Sequence, residues 1–573
     1  MHQKSMVFPM TDFLMPSLIY FAGAIALAFI SSPRLRVLLL MVIPVLGLLS
    51  FVFMPYGTYG FLPLFDFHIK IFRLDALSFV FAIIFSIAAF LSMLYAWYIR
   101  DKLEQISSII YAGAAIGAVF AGDLITLFVF WEGTAVASVF LIWARRTQGA
   151  YATGMRYATA QILSGLLLII GIALYYRETG SLAFEHMELN SPGTWLIFLA
   201  FGIKCAFPFL HNWLQDSYPA ATPTGTVTLS AFTTKLAIYA LVRGFAGTEY
   251  LIYIGAAMTI YPVFFAAIEN NLRRVLAYSL NNQLGFMVVG IGIGTPLALD
   301  GTVAHAFVHI IYKALLFMSV GAVIYRTGTA KASDLGGLWK SMPLTMAFCI
   351  IGSLSISAFP LFSGFVAKSL ILSATADTGH FWVWIVLLVG SVGVLEHAGI
   401  KIPYSMFFGH DRGWKVKEAP LPMLVAMGIA AGLCVGIGVW PDPLYNLLPY
   451  PIDYEPYTSS HVITQLQLLF FAFLAFALLI RFNIYPAEHR SINLDFDWVY
   501  RRFLLNVIRR ITALVTRGWR TFTSFTQGRL DRSLDMIYRT HGPQGPLART
   551  WPTGSMVLWI AILLGITLLL AYL

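Results

Sequence analysis

The chain reads as long apolar runs broken by short polar stretches. Runs of about 20 apolar residues, each long enough to span a bilayer, recur with little pause. They predict spans at 13–31, 36–55, 77–97, 106–122, 124–143, 154–176, 194–211, 224–246, 249–268, 274–293, 301–325, 342–376, 381–409, 420–440, 464–480 and 555–573. Apolar residues within each run are continuous rather than alternating. The spans are therefore helices, which satisfy their own backbone groups in hydrocarbon, and a barrel is excluded. The first run, FLMPSLIYFAGAIALAFIS, lacks a clear small-residue cleavage site and is read as the first helix, not a signal peptide. Two spans are interrupted, the seventh at Pro208 and the twelfth within SAFPLFSGF, at Pro360 and Gly364.

After the fifteenth span the pattern changes. Phe496, Tyr500, Phe503, Val507, Ile511, Leu514, Trp519, Phe522 and Phe525 recur mostly every three to four residues, which predicts an amphipathic helix. Arg501, Arg502, Arg509, Arg510, Arg517 and Arg520 flank its apolar face. Such a helix lies along the interface and is drawn to anionic lipid. It reads either as a membrane-surface anchor or as a strap that braces the bundle or docks a partner protein of the same complex.

Composition agrees with a polytopic all-α membrane protein. Of 573 residues, 59% are hydrophobic and 11% charged, where a soluble globule has about 25% charged residues. The mean hydropathy is +0.77. The net charge of +10 acquires meaning from its distribution. Odd-numbered connections carry Arg34, Arg36, Arg100, Lys102, Arg145, Arg146, Arg273, Arg274, Arg326, Lys331, Lys340, Arg412, Lys415 and Lys417, whereas even-numbered ones hold little beyond Lys70, Arg73, Arg177 and Arg243. This asymmetry assigns odd connections and the amphipathic helix to the cytoplasmic side of a bacterial-type inner membrane, with both termini outside. Cys205, Cys349 and Cys434 are isolated, so disulfide, zinc and iron–sulfur frameworks have no support. There is no Walker A and no GxGxxG opening a soluble helix. Nothing points to a metal, a cofactor or nucleic acid, and energy must come from an ion gradient or from partners.

The candidate chemistry is a set of charges in oil. Lys204, Lys235, Lys313 and Lys368, with Glu132 and Glu396, lie inside predicted spans. A charged side chain at a helix centre costs about 2.5–3.5 kcal/mol. Snorkelling explains a lysine near a helix end, and a static ion pair explains a single residue, but neither explains the series. Burial disfavours the charged form of either group, so such side chains can take up and release protons. His305, His309 and Lys313 are spaced by four, one stripe with steps of about 6 Å, and read as a proton path extended by water. His211 shares a face with Lys204 if the seventh helix continues past Pro208. His397 adjoins Glu396, and adjacent residues do not share a face, so Glu396 is the favoured member of that pair.

The interrupted seventh and twelfth spans sit five apart, each with a lysine near its break. Segments 4–8 and 9–13 therefore predict two five-helix repeats. The odd repeat length inverts one relative to the other, and such folds place ion sites at mid-membrane breaks.

The stretches AGDLITLFVFWE, GIKCAFPFLHNWLQDSYPAATPTG, LSAFTTKLAIYALVR, HAFVHIIYKALLFMSVGAVI and FPLFSGFVAKSLIL resemble, in family order over about residues 70–410, the proton-conducting antiporter-like subunits. These occur in Mrp-type multisubunit Na+/H+ antiporters and in respiratory complex I. GIKIPYSMFFGHD and LPYPIDYEPYTSSHVITQLQLL look most similar to the D-type component of the Mrp antiporters. Gln215 stands where the family usually has proline, and the segments beyond the fourteenth span resemble the C-terminal arm of the longest antiporter-like subunits. The resemblance implies fourteen core helices with two inverted five-helix repeats. It implies an acid–lysine pair of Glu132 with Lys204, a connecting Lys235, a central stripe from His305 to Lys313 and a terminal Lys368. The expected organisation is N-terminal helices over 1–105, repeats over 106–246 and 249–409, further spans over 410–480, an amphipathic segment over 481–550 and a last span over 551–573.

The function expected is proton translocation in exchange for a monovalent cation, with Na+ favoured, alongside other membrane subunits. The same residues would serve a proton-pumping subunit of a redox complex such as a complex I or membrane hydrogenase relative. They would also serve the membrane module of an inorganic-carbon uptake complex.

Overall fold

The apolar runs fold as helices and the interruptions as breaks. The computed structural model of the protein describes residues 7–8, 15–64, 67–451, 453–482, 484, 493, 495–546, 548–550 and 552–573. It divides into two units, Met1–Asn493 and Leu494–Leu573. Positions 13–14 of the first predicted span lie outside the described residues, as do 483, 485–492, 494, 547 and 551 of the predicted amphipathic and final segments.

The first unit begins with α1 (Pro16–Phe29), α2 (Pro33–Val52), α3 (Ala76–Tyr95), α4 (Lys102–Val119), α5 (Leu124–Trp143) and α6 (Gln148–Thr179). The broken seventh segment follows as α7 (Pro192–Cys205) and α8 (Asn212–Ala220), and the eighth as α9 (Pro223–Ala231) and α10 (Thr233–Phe245). Then come α11 (Tyr250–Ile268), α12 (Leu272–Ile293), α13 (Pro296–Thr327), and the broken twelfth segment as α14 (Pro343–Ile356) and α15 (Ser363–Asp377). The unit closes with α16 (Phe381–Phe408), α17 (Leu421–Val439) and α18 (Ser459–Arg481). The second unit holds α19 (Leu505–His541) and α20 (Thr553–Tyr572). Among the described residues, eleven helices are long and apolar enough to cross a membrane, which makes this a multi-pass membrane protein.

A helix that is apolar all round must be buried on every side, and α13 is buried continuously from Ala298 to Val323. Together with α9, α10 and α12 it forms the core.

The repeat is visible in backbone detail. Helices α6 and α13 are both 32 residues long. Thr147 and Thr295 cap their N-termini by accepting from Ala150 N and Ala298 N, and left-handed Gly180 (φ 68°) and Gly328 (φ 76°) end them. Both pairs are 148 positions apart, as are Asp123 and Asn271, which cap α5 and α12 and bridge Ala183 and Lys331 respectively. The two breaks also match. Ala206 (φ 62°) and Phe209 (φ 69°) in the first recur as Ala358 (φ 56°) and Leu361 (φ 73°) in the second. Phe207 N donates to Gly202 O at 3.0 Å, and Phe359 N to Leu354 O at 3.0 Å.

One element was not expected. The connection between α2 and α3 forms a hairpin, β2 (Gly57–Leu64) antiparallel to β3 (Phe67–Leu74), and β1 (Val7–Phe8), ahead of α1, adds a strand parallel to β2. Tyr59 and Phe72 pair across it and Phe72 packs on Phe120. The sheet continues into the α4–α5 turn through Arg73 N to Phe120 O (2.7 Å) and Gly122 N to Lys70 O (3.0 Å). A connection whose backbone finds these partners can rest against the bundle without leaving its polar groups unpaired.

Candidate functional site

The first half of the site is built on α5, α6 and α7. Helix α7 starts at a capping box of Ser191 and Thr194 and ends when Ala206 turns left-handed, leaving Lys204 one residue from the break. Lys204 is fully buried. Its Nζ donates to Trp131 O at 2.6 Å and Thr134 Oγ1 at 3.0 Å, and lies 4.4 Å from the centre of the Trp131 ring. The indole of Trp131 donates to Ser164 Oγ (3.0 Å), which donates to Ala200 O (2.7 Å), tying α5, α6 and α7 together. Glu132 turns toward α6. A Cβ at Gly165 would overlap its Oε1, so the glycine supplies the space that the carboxylate occupies. Glu132 Oε1 is buried without a hydrogen-bond partner. It acts on Lys204 electrostatically, but the ammonium is held by a backbone carbonyl and a hydroxyl.

The eighth segment has a break that the sequence did not signal. Phe232 (φ −103°, ψ −66°) separates α9 from α10, and Lys235 Nζ donates to Ser230 O at 2.7 Å across it. Lys235 is fully buried and interacts electrostatically with Cys205, the neighbour of Lys204, which links the two lysine sites.

The predicted stripe on α13 is entirely buried: His305, His309 and Lys313 have no exposed surface. His305 Nε2 lies 3.1 Å from Gln283 Oε1 and 3.0 Å from Tyr312 Oη, and that hydroxyl donates to Gln283 Oε1 at 3.1 Å. Both ring nitrogens of His309 and the Nζ of Lys313 have no hydrogen-bond partner among the described residues. His309 interacts electrostatically with Lys235, Lys313, His305 and Lys368, so the stripe and the connecting and terminal lysines share one field.

Lys368 on α15 completes the series. Its Nζ donates to Ile356 O at 2.8 Å and lies 5.1 Å from the Phe286 ring centre. Ile356 is the last residue of α14, so this carbonyl is freed by the break. Lys235 and Lys368 thus share a device. The break exposes a carbonyl in mid-membrane, which is tolerable only with a polar partner, and the ammonium provides it.

Geometry corrects one expectation and adds one residue. Helix α7 does not run through to His211. That residue is buried beyond the break, with its ring 5.2 Å from Tyr261 on α11, so it does not extend the face of Lys204. At Glu396 and His397, α16 is π-helical over Leu395–Ile400. Glu396 is half-buried, while His397 is fully buried and interacts with Lys313, Lys401 and Lys368. His397, which sequence reasoning set second to Glu396, also joins the buried field.

Sequence reasoning also missed Lys401, whose Nζ donates to Ala267 O (2.7 Å) and Glu269 O (2.9 Å). Arg273, counted above as a loop charge, is buried and donates to Ala221 O at 2.8 Å. Asn281, Asn282 and Gln283, a polar triplet inside the apolar tenth span, were a signal available in the sequence. Further buried polar atoms without partners sit on Gln161, Gln215, Ser279 and Asn281. Gln161 lies 148 positions before His309 and holds the equivalent place in α6. A buried polar group left unpaired costs about 1–3 kcal/mol.

The fold is an antiporter-like helical membrane fold. Residues 121–393 match the family described as NADH:quinone oxidoreductase/Mrp antiporter, TM. The A1 subunits of the Na(+)/H(+) antiporter in Staphylococcus aureus strains JH9 and N315 are each 29% identical over 455 residues, covering 70% of this chain and 56% of theirs. The chain thus spans about half the length of the curated relatives it matches. These relatives are A-type components, not the D-type component that the sequence motifs resemble. Among solved structures, the Mrp complex from Dietzia sp. DQ12-45-1b aligns with a TM-score of 0.68 at 22% identity, covering 76% of this chain and 95% of that one. The membrane-bound sulfane sulfur reductase, an archaeal respiratory membrane complex, aligns with a TM-score of 0.69 at 22% identity, covering 97% of this chain and 99% of that one.

Proposed function

We propose that the chain is a proton-translocating subunit of a multisubunit monovalent cation/proton antiporter, with Na+ the favoured cation. Protons move along the line Glu132, Lys204, Lys235, His305–His309–Lys313 and Lys368. The observation that carries this reading is that all four lysines are buried, with three ammonium groups on backbone carbonyls and the fourth without a hydrogen-bond partner among the described residues. At insertion costs of about 2.5–3.5 kcal/mol each, four such residues approach the whole net stability of a domain, about 5–15 kcal/mol. A packing role does not justify that cost. Coulomb coupling at low dielectric is strong, so a change of charge at Glu132–Lys204 biases Lys235 and then the stripe. The partners of such a subunit are other membrane subunits, and anionic lipid at α19.

A second reading is favoured by the near-complete alignment with a chain of a respiratory complex. The same axis would then pump protons under the control of redox partners.

Lys204→Ala tests the transport reading. In everted vesicles the variant is expected to assemble normally and lose cation-dependent proton flux, and wild-type flux would contradict it. Identifying the subunits that copurify separates the two readings, since flavin or iron–sulfur proteins belong to the second.

A further inference from the structure

An axis of buried lysines needs an end that meets water, and one cavity reaches its last lysine from the side. Lys368 forms part of the wall of a cavity of about 450 Å3 between α15, α16 and α18. Ser369, Ser373, His461, Thr464 and Gln465 supply its other principal polar groups, and much of the remaining lining is apolar.

Helix α18 is fastened to the break that makes this cavity. Gln465 Nε2 donates to Ser357 O at 3.4 Å, immediately after α14. On the other side of the break, Leu361 N donates to Tyr457 Oη at 3.2 Å, just ahead of α18. A line of polar atoms then leads away from Lys368. Ser369 and Ser373 are one turn apart on α15 and lie on the same stripe. Ser373 Oγ is 3.1 Å from Tyr454 Oη, and that hydroxyl is 3.5 Å from His461 Nδ1. Ser373 and Tyr454 also line a second cavity of about 630 Å3 that contains Asp377 and Asp453. Ser373 therefore stands between an acid-lined vestibule and the chamber of Lys368.

We propose that this chamber is the proton portal of the axis, with His461 as the relay between the vestibule and Lys368. The inference rests on the transport reading above. Inward, a protonated His461 ring gives up one N–H proton, chamber water and the Tyr454 and Ser373 hydroxyls hand it on, and the Lys368 amine forms a new N–H bond. One positive charge moves from ring to amine and nothing is oxidised or reduced. The charged and titratable groups on the elements around His461 are Lys368 and Asp377 on α15, Glu396 and His397 on the π-helical part of α16, and Asp453 and Tyr454 ahead of α18. The two aspartates favour proton collection at the vestibule, and the apolar walls keep the chamber from becoming an open channel.

The test uses the intact complex in vesicles. His461→Ala is expected to lower proton flux about a hundredfold, the low end of what a positioned proton carrier contributes, and added imidazole should restore it. His461→Gln preserves a hydrogen bond to Tyr454 and guards against a packing effect, and it should lose flux as well. Separately, Ser369→Cys should react with a charged, membrane-impermeant thiol reagent applied to one face. The native cysteines are buried and serve as the unreactive background. Wild-type flux in both His461 variants, failure of imidazole to restore flux, or an unreactive Ser369→Cys would overturn the portal. If instead Lys204→Ala retains full flux, the transport reading fails, and Ser369→Cys labelling still reports whether water reaches Lys368.

Discussion

The carboxylate of Glu132 fills the space that Gly165 leaves by having no side chain. The space at Gly165 therefore accommodates the acid that acts on Lys204. Alanine is worth about 1 kcal/mol over glycine inside a helix, so Gly165→Ala should not impair folding of α6. It should nonetheless displace Glu132 and lower proton flux by about ten- to a hundredfold, the cost of a misplacement of about an ångström. Normal recovery of the protein with reduced flux in reconstituted vesicles is the expected pair of results.

The two breaks hold alanines in a left-handed conformation, which costs an L-residue about 1–2 kcal/mol. Ala206→Gly removes that strain and should raise the unfolding temperature slightly. Ala206→Val adds a branched Cβ at φ 62° in a fully packed site and should lower the unfolding temperature and the yield of assembled complex. Thermal unfolding of the purified complex distinguishes them. Equal stability of all three proteins would show that the turn is not under strain.

At the start of α3, Asp75 caps the helix by accepting from Ser78 N at 2.9 Å and pairs with Arg243 at 2.8 Å and Arg73 at 3.5 Å. Burial alone would lift its carboxyl, but the two guanidiniums and the Ser78 amide outweigh that and hold it well below the usual carboxylate range. A depressed folded value means that the stabilisation is present above the ordinary aspartate range, about pH 4, and fades as pH falls below it. Wild type should therefore hold this contribution from neutral pH down to about pH 4 and lose it progressively below. Asp75→Asn should be less stable at neutral pH and show a smaller acid-dependent loss.

Helix α19 carries arginines along an exposed amphipathic face over 37 residues, a length of about 55 Å at 1.5 Å per residue. Each arginine near an anionic surface contributes about 1 kcal/mol of attraction. Exchanging Arg509, Arg510, Arg517 and Arg520 for glutamate should reduce recovery of the assembled complex from anionic membranes while leaving ion selectivity unchanged. Unaltered recovery on purification would count against both the anchor and the strap.

The spans were legible because length and continuity of apolar residues settle them with little help from packing. The fifth predicted span, 124–143, is α5 residue for residue. The lysines were legible because charge in hydrocarbon is expensive wherever it points. What could not be read was what each charge meets. The acceptors of Lys235 and Lys368 are main-chain oxygens of Ser230 and Ile356, and a sequence does not display them. The Phe232 break falls in SAFTTK, with neither proline nor glycine to announce it. The π-helical stretch at Leu395–Ile400, where His397 is buried, has no marker in the sequence. The sheet between α2 and α3 depends on partners in the α4–α5 turn, far along the chain.

Because these ammonium groups rest on main-chain oxygens, the acceptors are immune to ordinary side-chain replacement. Genetic drift at Ser230 or Ile356 can exchange the side chain and still leave the oxygen where it was. Only a change that reshapes the turn itself, such as a shifted proline or an inserted residue, can delete it. A search for loss-of-function mutations in this protein should therefore find side-chain replacements at Ser230 and Ile356 silent, and changes that reshape the turns beside them damaging.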